Sequence, residues 1–220
     1  MSKTAELDDL FRCWQERYGK QKIVPDGIIR EEYWGTAKRK ISFLLKERNK
    51  KGNNSDADFR KLVDAGPWPV LGQWAYGLMN TSVDHIPFFN EANNKSNFQD
   101  SCRSTAIINL KKTPGVASAD IDAVERVVQN DRDLIINELE IIQPKIIVCG
   151  GTFRLCQNLF PGRDFKQIVE DDHCYLLGDT IWIDFCHPSI PNIYHFIPYY
   201  GLMSVFQNAI RTPEVSACLS

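Results

Sequence analysis

The apolar positions of the chain switch between two periods. In "ELDDLFRCWQERYGK", Leu7, Leu10, Phe11, Trp14 and Tyr18 recur at helical spacing, so residues 4–19 predict an amphipathic helix. "VPDG" (24–27) reads as a turn. "KRKISFLLKERN" then holds a continuous apolar run, Ile41 to Leu45, between charges, the mark of a strand buried on both faces. Three more runs read the same way: Thr105 to Leu110 in "STAIINLKKTPG", "KIIVCGG" with its closing glycines Gly150 and Gly151, and "TIWIDFCHPS". Residues 119–142 carry Ile121, Val124, Val127, Val128, Leu134, Ile135, Leu139 and Ile142 on one long helix or two, broken by Pro144. "TFRLCQNLF" predicts the helix leaving the third strand, and "YYGLMSVFQNAI" a closing amphipathic helix. The polar stretches 50–58 and 90–101 read as loops, and "GPWPVLGQWAYGL" (66–78) mixes tryptophan with proline and glycine.

Strands alternating with helices argue an α/β fold, a three-layer α/β/α sandwich around a central four-stranded parallel sheet. A length of 220 residues suits one domain over 1–220, with residues 1–38 as a helical extension and 39–212 as the core. Composition leaves this picture unchanged: 43% hydrophobic and 25% charged residues are ordinary for a globular chain. A run of about 18 apolar residues, which a membrane helix needs, does not occur. "MSKTAELDDLFRCW" has acidic residues where a signal peptide carries its apolar stretch, so a cytoplasmic location without membrane attachment is expected. The seven cysteines are odd in number and lack C-x-x-C spacing, which predicts reduced thiols and neither a metal nor a cofactor.

A net charge of −2 does not announce a nucleic-acid binder. Local basic clusters do occur: Lys38-Arg39-Lys40, then Lys46, Arg48, Lys50 and Lys51, then Lys111-Lys112. Each alone is equally well a solvated face. Their positions beside strand ends change the weight. Strand one ends in Lys46-Glu47-Arg48-Asn49, strand two in Asn109 followed by Lys111 and Lys112, and strand four in His187-Pro188-Ser189. Parallel strands bring their C-terminal ends to one edge, so a carboxylate, a carboxamide, an imidazole and a hydroxyl converge there. Gly150-Gly151, after strand three, permits close backbone approach.

Taken in order, these segments resemble the uracil-DNA glycosylase superfamily over residues 40 to 210. "FLLKERNK" stands where that family has its water-activating motif, "AIINLKKTPG" is similar to the strand ending in its base-reading asparagine, "IIQPKIIVCGG" resembles its P-x-x-I-I-x-x-G strand, and "HPS" resembles its His-Pro-Ser motif. The resemblance implies a monofunctional glycosylase acting on DNA as a monomer. It flips a base out of the stack and leaves an abasic site. His187 would donate to the departing base and Glu47 would steady the sugar cation and its water. Asn109 would read the base edge, with Phe88 or Phe89 stacking on it. Ser189, Gly151, Lys46, Arg48, Lys111 and Lys112 would hold the backbone phosphates. Plainer roles stand beside these: an ion pair for Glu47, a turn cap for Asn109, a structural histidine at 187, and core positions for Trp68 and Trp74.

The chain departs from the family pattern at the first motif. Lys46, Asn49 and Lys50 replace its glycine, proline and aromatic, Arg48 replaces the aspartate of the main branch, and Glu47 alone remains as an acid. The cysteines of the iron–sulfur branch, which shares that acid, are missing. An aromatic at position 50 would exclude a C5 methyl group; a lysine does not, so the expected substrate extends from uracil to C5-modified or glucosylated cytosine of the kind in phage DNA, in repair or antiviral defence. Two rivals remain open: a catalytically silent DNA-binding module of the same fold, and an unrelated α/β nucleotide hydrolase built on the Gly150-Gly151 turn.

Overall fold

The structure is a computed structural model and describes residues 1–49, 57–115, 120–170, 172–190 and 194–219, with Asn49 described in its backbone only. The four expected strands are all present: β2 (Ile41–Asn49), β3 (Ala106–Gly115), β4 (Ile146–Gly150) and β7 (Thr180–Phe185). They pair in parallel, β3 with β2, β2 with β4 and β4 with β7. The expected four-stranded sheet needs correction, because three short strands extend it: β1 (Gly27–Ile28), β5 (Lys166–Gln167) and β6 (Cys174–Leu177). Among the described residues the sheet is therefore seven-stranded and mixed, in the order β1-β3-β2-β4-β7-β6-β5. The added strands pair antiparallel at its two margins. The two-residue strands β1 and β5 are too short to leave an apolar run in the sequence.

Period-two alternation divides the strand side chains between two cores. Ile41, Phe43, Leu45, Ile107, Val148 and Ile183 join one core, with the helices Pro69–Asn80 and Phe196–Ile210. Leu44, Ile108, Leu110, Cys149 and Trp182 join the other, with the helices Lys3–Tyr18, Ile121–Asn130 and Arg132–Ile142. Both faces of the sheet are thus covered, as continuous apolar strands require. No helix among the described residues is long and apolar enough to cross a membrane.

One polar stretch differs from expectation. Residues 90–101, read as a loop, lie mostly in the helices Phe89–Ala92 and Lys95–Arg103. Asn94 caps the second, accepting the N–H groups of Ser96 and Asn97 on its side-chain oxygen. This helix is polar because it is held by a close backbone approach rather than a broad apolar face: a Cβ at Gly72 would stand 2.0 Å from the Phe98 carbonyl oxygen. The apolar spacing read as one long helix or two is two, Ile121–Asn130 and Arg132–Ile142, broken at Asp131, whose carboxylate accepts from Trp14 Nε1 at 3.0 Å and Tyr18 Oη at 2.8 Å.

Under the first helix lies a buried ionic cluster. Lys112 Nζ donates to Asp26 Oδ1 at 2.7 Å and to Glu138 Oε2 at 2.6 Å, and all three side chains are wholly shielded from solvent. Asp26 Oδ2 also accepts the Asn109 backbone N–H at 2.8 Å and the Asn109 amide at 3.0 Å. The Lys112 ammonium stands 4.9 Å from the Trp14 ring centroid. Burial works against the Lys112 charge, but Asp26 and Glu138 outweigh it and raise its pKa. Burial pushes the Glu138 carboxyl well above the usual carboxylate range, against the pull of the Lys112 charge.

Two substitutions separate these roles. Lys112→Met strands the Asp26 charge and should lower stability by about 3–5 kcal/mol, whereas Glu138→Gln, a neutral isostere, should change it by about 1 kcal/mol or less; urea unfolding at neutral pH measures both. Because the folded pKa of Glu138 lies above its unfolded one, its protonated form contributes stability that is complete below the ordinary carboxylate range. That contribution is lost as pH rises through the raised folded value, and Glu138→Gln should remove this decline.

Candidate functional site

Strand order places the cleft. The chain runs from β2 outward to β3, then crosses back over β2 to β4 and on to β7. The direction of winding reverses between β2 and β4, and the crevice beyond their C-terminal ends is where an open α/β sheet binds ligands. Lys46 and Glu47 lie at the end of β2, Gly150 and Gly151 at the end of β4, and His187 two residues past β7. Gly150 has to be glycine here: a Cβ would stand 2.7 Å from Leu45 Cδ2 and 3.3 Å from Pro188 Cδ. The missing side chain lets β2, β4 and the His-Pro-Ser segment close on one another. Gly151 turns the chain with φ +66° and donates its N–H to Phe185 O at 2.7 Å. A Cβ on it would stand 3.9 Å from Lys46 Nζ, so the ammonium lies directly over this turn.

His187 is half-buried at this edge, with its ring centroid 6.4 Å from that of Trp68. The Ser189 backbone N–H donates to His187 Nδ1 at 3.1 Å. An acceptor at Nδ1 leaves the proton of the neutral ring on Nε2, which makes that atom a hydrogen-bond donor. Burial, and then the charge of Lys46, holds the imidazole below its ordinary pKa, so it is neutral at pH 7. A cleft of about 10 Å³ bounded by Trp74, His187 and His195 opens beside it, the size of a single water. Pro188 is buried and Ser189 exposed, so the segment pins itself with the proline and presents the hydroxyl.

Glu47 sits on β2, two strands over from β7. Its side chain is only 5% exposed, and its Oε2 accepts from Lys111 Nζ, opposite it in the β2–β3 register. The register shifts between Glu47 and Asn49, and the Glu47 carboxyl occupies the space above Gly115: a Cβ there would come within 1.8 Å of its Cδ. Lys111 is therefore the ion-pair partner of Glu47 across the strands. Arg48 turns away, donating to Ala57 O at 2.8 Å and lying 5.7 Å from the Phe59 ring centroid. Lys50, Lys51 and Pro191 lie outside the described residues.

Two expected ligand-facing residues are instead internal. Lys112 is enclosed between Asp26 and Glu138 and presents nothing to a phosphate. Asn109 is 3% exposed, and its amide donates to Asp26. Both corrections have one cause, the buried Asp26 carboxylate, which collects every donor that β3 turns toward it. Phe88 and Phe89 belong to an aromatic shelf. Phe88 is 66% exposed, and Phe89 packs edge-on against Tyr199 at 5.5 Å and Phe196 at 6.5 Å. Tyr194, 75% exposed, stacks on Phe196 with ring centroids 5.6 Å apart. Tyr194, Phe196 and Tyr200 carry no motif, although "IYHFIPYY" displays them three residues after His-Pro-Ser. His195, inside that stretch, borders the His187 cleft and links the shelf to it.

Among the described residues no three His, Cys, Asp or Glu side chains gather as a metal site. The edge thus assembles a neutral donor, a cation and an exposed hydroxyl, beside a carboxylate held by a lysine. No protein-family model matches the chain, and no curated protein matches it.

A titration followed by NMR tests the imidazole assignment. His187 should show an Nε2–H tautomer and titrate below the ordinary imidazole value, and Lys46→Met should raise its pKa by removing the neighbouring charge.

Proposed function

We propose that the protein is a monofunctional DNA glycosylase that excises a flipped-out pyrimidine and leaves an abasic site. One observation carries the reading: a neutral imidazole whose Nδ1 accepts the Ser189 N–H and whose proton is therefore on Nε2, beside the Lys46 ammonium, at the reversal point of the sheet. The resemblance of the four strand-end segments to the uracil-DNA glycosylase superfamily points the same way. When the C1′–N bond breaks, its electron pair goes to the base and negative charge develops on the base oxygens. His187 Nε2–H donates to that oxygen and Lys46 adds its field, so the base leaves as an anion. Positive charge develops on the sugar. The Glu47 carboxylate, oriented by Lys111 and by the room above Gly115, stabilises it and directs a water to C1′. The water oxygen bonds C1′, and its proton passes through Glu47 to solvent.

Base recognition falls to the aromatic shelf rather than to Asn109. Phe88 and Tyr194 offer faces on which unstacked bases rest without regard to sequence. Ser189 and Lys46 supply the phosphate contacts that fix register. The substrate is uracil or a C5-modified or glucosylated cytosine. A second reading, a DNA-binding module without catalysis, draws on the near-complete burial of Glu47 and its pairing with Lys111.

Abasic-site formation on duplexes bearing uracil, hypoxanthine, mismatched thymine, and plain, hydroxymethylated or glucosylated cytosine tests the reading. One base should be released. His187→Ala should slow release by about 10²–10³-fold, and Glu47→Gln by about 10²–10⁴-fold. Gly115→Ala should slow it, because the new methyl displaces the Glu47 carboxyl from its place beside Lys111. Salt-sensitive DNA binding with no release from any duplex would instead establish the silent module.

A further inference from the structure

Behind the candidate edge, in the layer that carries the first helix, two thiols touch. Cys149 is on β4, one residue before Gly150, and Cys156 is in the helix Phe153–Leu159 that leaves the Gly150-Gly151 turn. Both are wholly buried, and the Cys149 thiol donates to Cys156 Sγ at 3.7 Å. The other cysteines are dispersed in environment: Cys13 is exposed, Cys186 and Cys218 are half-buried, and Cys102 and Cys174 are buried.

The contact is built by the turn between the two residues. The Gly151 N–H donates to Phe185 O at 2.7 Å and the Thr152 hydroxyl to Leu44 O at 2.9 Å, which ties the turn to β7 and β2. The Cys156 N–H donates to Thr152 O at 3.0 Å and so starts the helix at a fixed place. Phe153 stacks on Tyr175 with ring centroids 4.3 Å apart, which holds the helix against β6. The backbone thus brings both sulfurs into one space. A disulfide sets them about 2.0 Å apart, so a further approach of about 1.7 Å closes the bond.

Burial and the adjacent Cys156 sulfur push the Cys149 thiol well above the usual thiol range. The thiolate is the reactive form, so the pair reacts slowly at pH 7 and faster as pH rises. Contact between the sulfurs decides the product. A sulfenic acid with a thiol against it condenses to a disulfide instead of being oxidised further.

We propose that Cys149 and Cys156 are a reversible oxidation site, closed by a peroxide into a disulfide that locks the turn between β4 and the helix Phe153–Leu159. Hydrogen peroxide first transfers an oxygen to the Cys149 sulfur: the O–O bond breaks, an S–OH forms and one water leaves. The Cys156 sulfur then bonds the Cys149 sulfur, the S–O bond breaks, and the hydroxyl leaves with the Cys156 proton as a second water. Two thiols are oxidised by two electrons in all, and one peroxide is reduced to two waters. A dithiol reverses the step by exchange. The locked turn is the one beneath the Lys46 ammonium. The site does not depend on the glycosylase reading.

Trypsin makes the bond visible. Cleavage after Lys145, Arg154 and Arg163 releases peptides 146–154 and 155–163, each with one of the two cysteines. The folded full chain is treated with hydrogen peroxide at pH 9, cleared of peroxide with catalase, denatured, alkylated, digested and mapped by mass spectrometry. The two peptides should appear joined, with two of the seven thiols lost to the link, and dithiothreitol should separate them. Cys13→Ser should leave the link intact, and Cys156→Ala should abolish it. In the linked protein the Gly151 amide should exchange with solvent at least about tenfold more slowly. Recovery of both peptides unlinked and alkylated while Cys13 is oxidised would overturn the proposal. So would sulfinic acid at either cysteine in place of the link, a link to a different cysteine, or unchanged exchange at Gly151, which would remove the lock.

Discussion

The Lys112 ammonium, buried between Asp26 and Glu138, is the contact on which the arrangement of one whole layer depends. It joins four elements: the helix Lys3–Tyr18 through the Phe11 and Trp14 rings, the segment before β1 through Asp26, β3 through Lys112 itself, and the helix Arg132–Ile142 through Glu138. Asp26 also stands in for strand pairing. Its Oδ2 takes the Asn109 N–H, and the Val24 N–H donates to Lys112 O at 2.8 Å, so the margin of β3 is satisfied although β1 has only two residues. A buried charge in this position tolerates no slip. Moving β3 by one residue would turn Lys112 out and leave Asp26 unpaired in the core.

The same alternation sets the chemistry at the other face. Ile108, Leu110 and Lys112 point into the layer that holds Asp26, while Lys111, between the last two, points to Glu47. Two adjacent lysines therefore hold two different carboxylates on opposite faces of one strand. The first is structural and wholly enclosed. The second orients Glu47 at the reversal edge, where Gly115 leaves the space that the carboxyl fills. Rigidity of the edge thus derives from the core: β3 cannot shift relative to Glu47 without breaking the cluster behind it.

This division explains what was legible in the sequence. The four parallel strands were readable because burial on both faces leaves continuous apolar runs, and the strand ends were readable because parallel topology sends them to one edge. The fates of Asn109 and Lys112 were not readable. Their partner Asp26 lies 83 and 86 positions away, and nothing local distinguishes a lysine turned inward from one turned out. The polar helix Lys95–Arg103 was hidden because its contact runs through the Gly72 backbone rather than an apolar stripe. The β6–β7 hairpin, by contrast, carried a signal: "CYLLGDTIWI" sets two apolar runs around Gly178-Asp179, and Gly178 takes φ +63°.

The pairing of Lys46 with a neutral His187 bears on how the proposed reaction would divide its electrostatic work. An imidazolium could offer charge and a proton together, but beside an ammonium in a half-buried site it would be opposed by both burial and repulsion. The neutral ring avoids that cost and still supplies a directed Nε2–H, whose orientation the Ser189 N–H fixes from the far side of the ring. Charge then comes from Lys46, which needs no proton transfer to act on an anion at the edge. Such a division suits a leaving group that departs as an anion: the donor supplies direction, the lysine supplies field, and neither has to change its protonation state during bond cleavage.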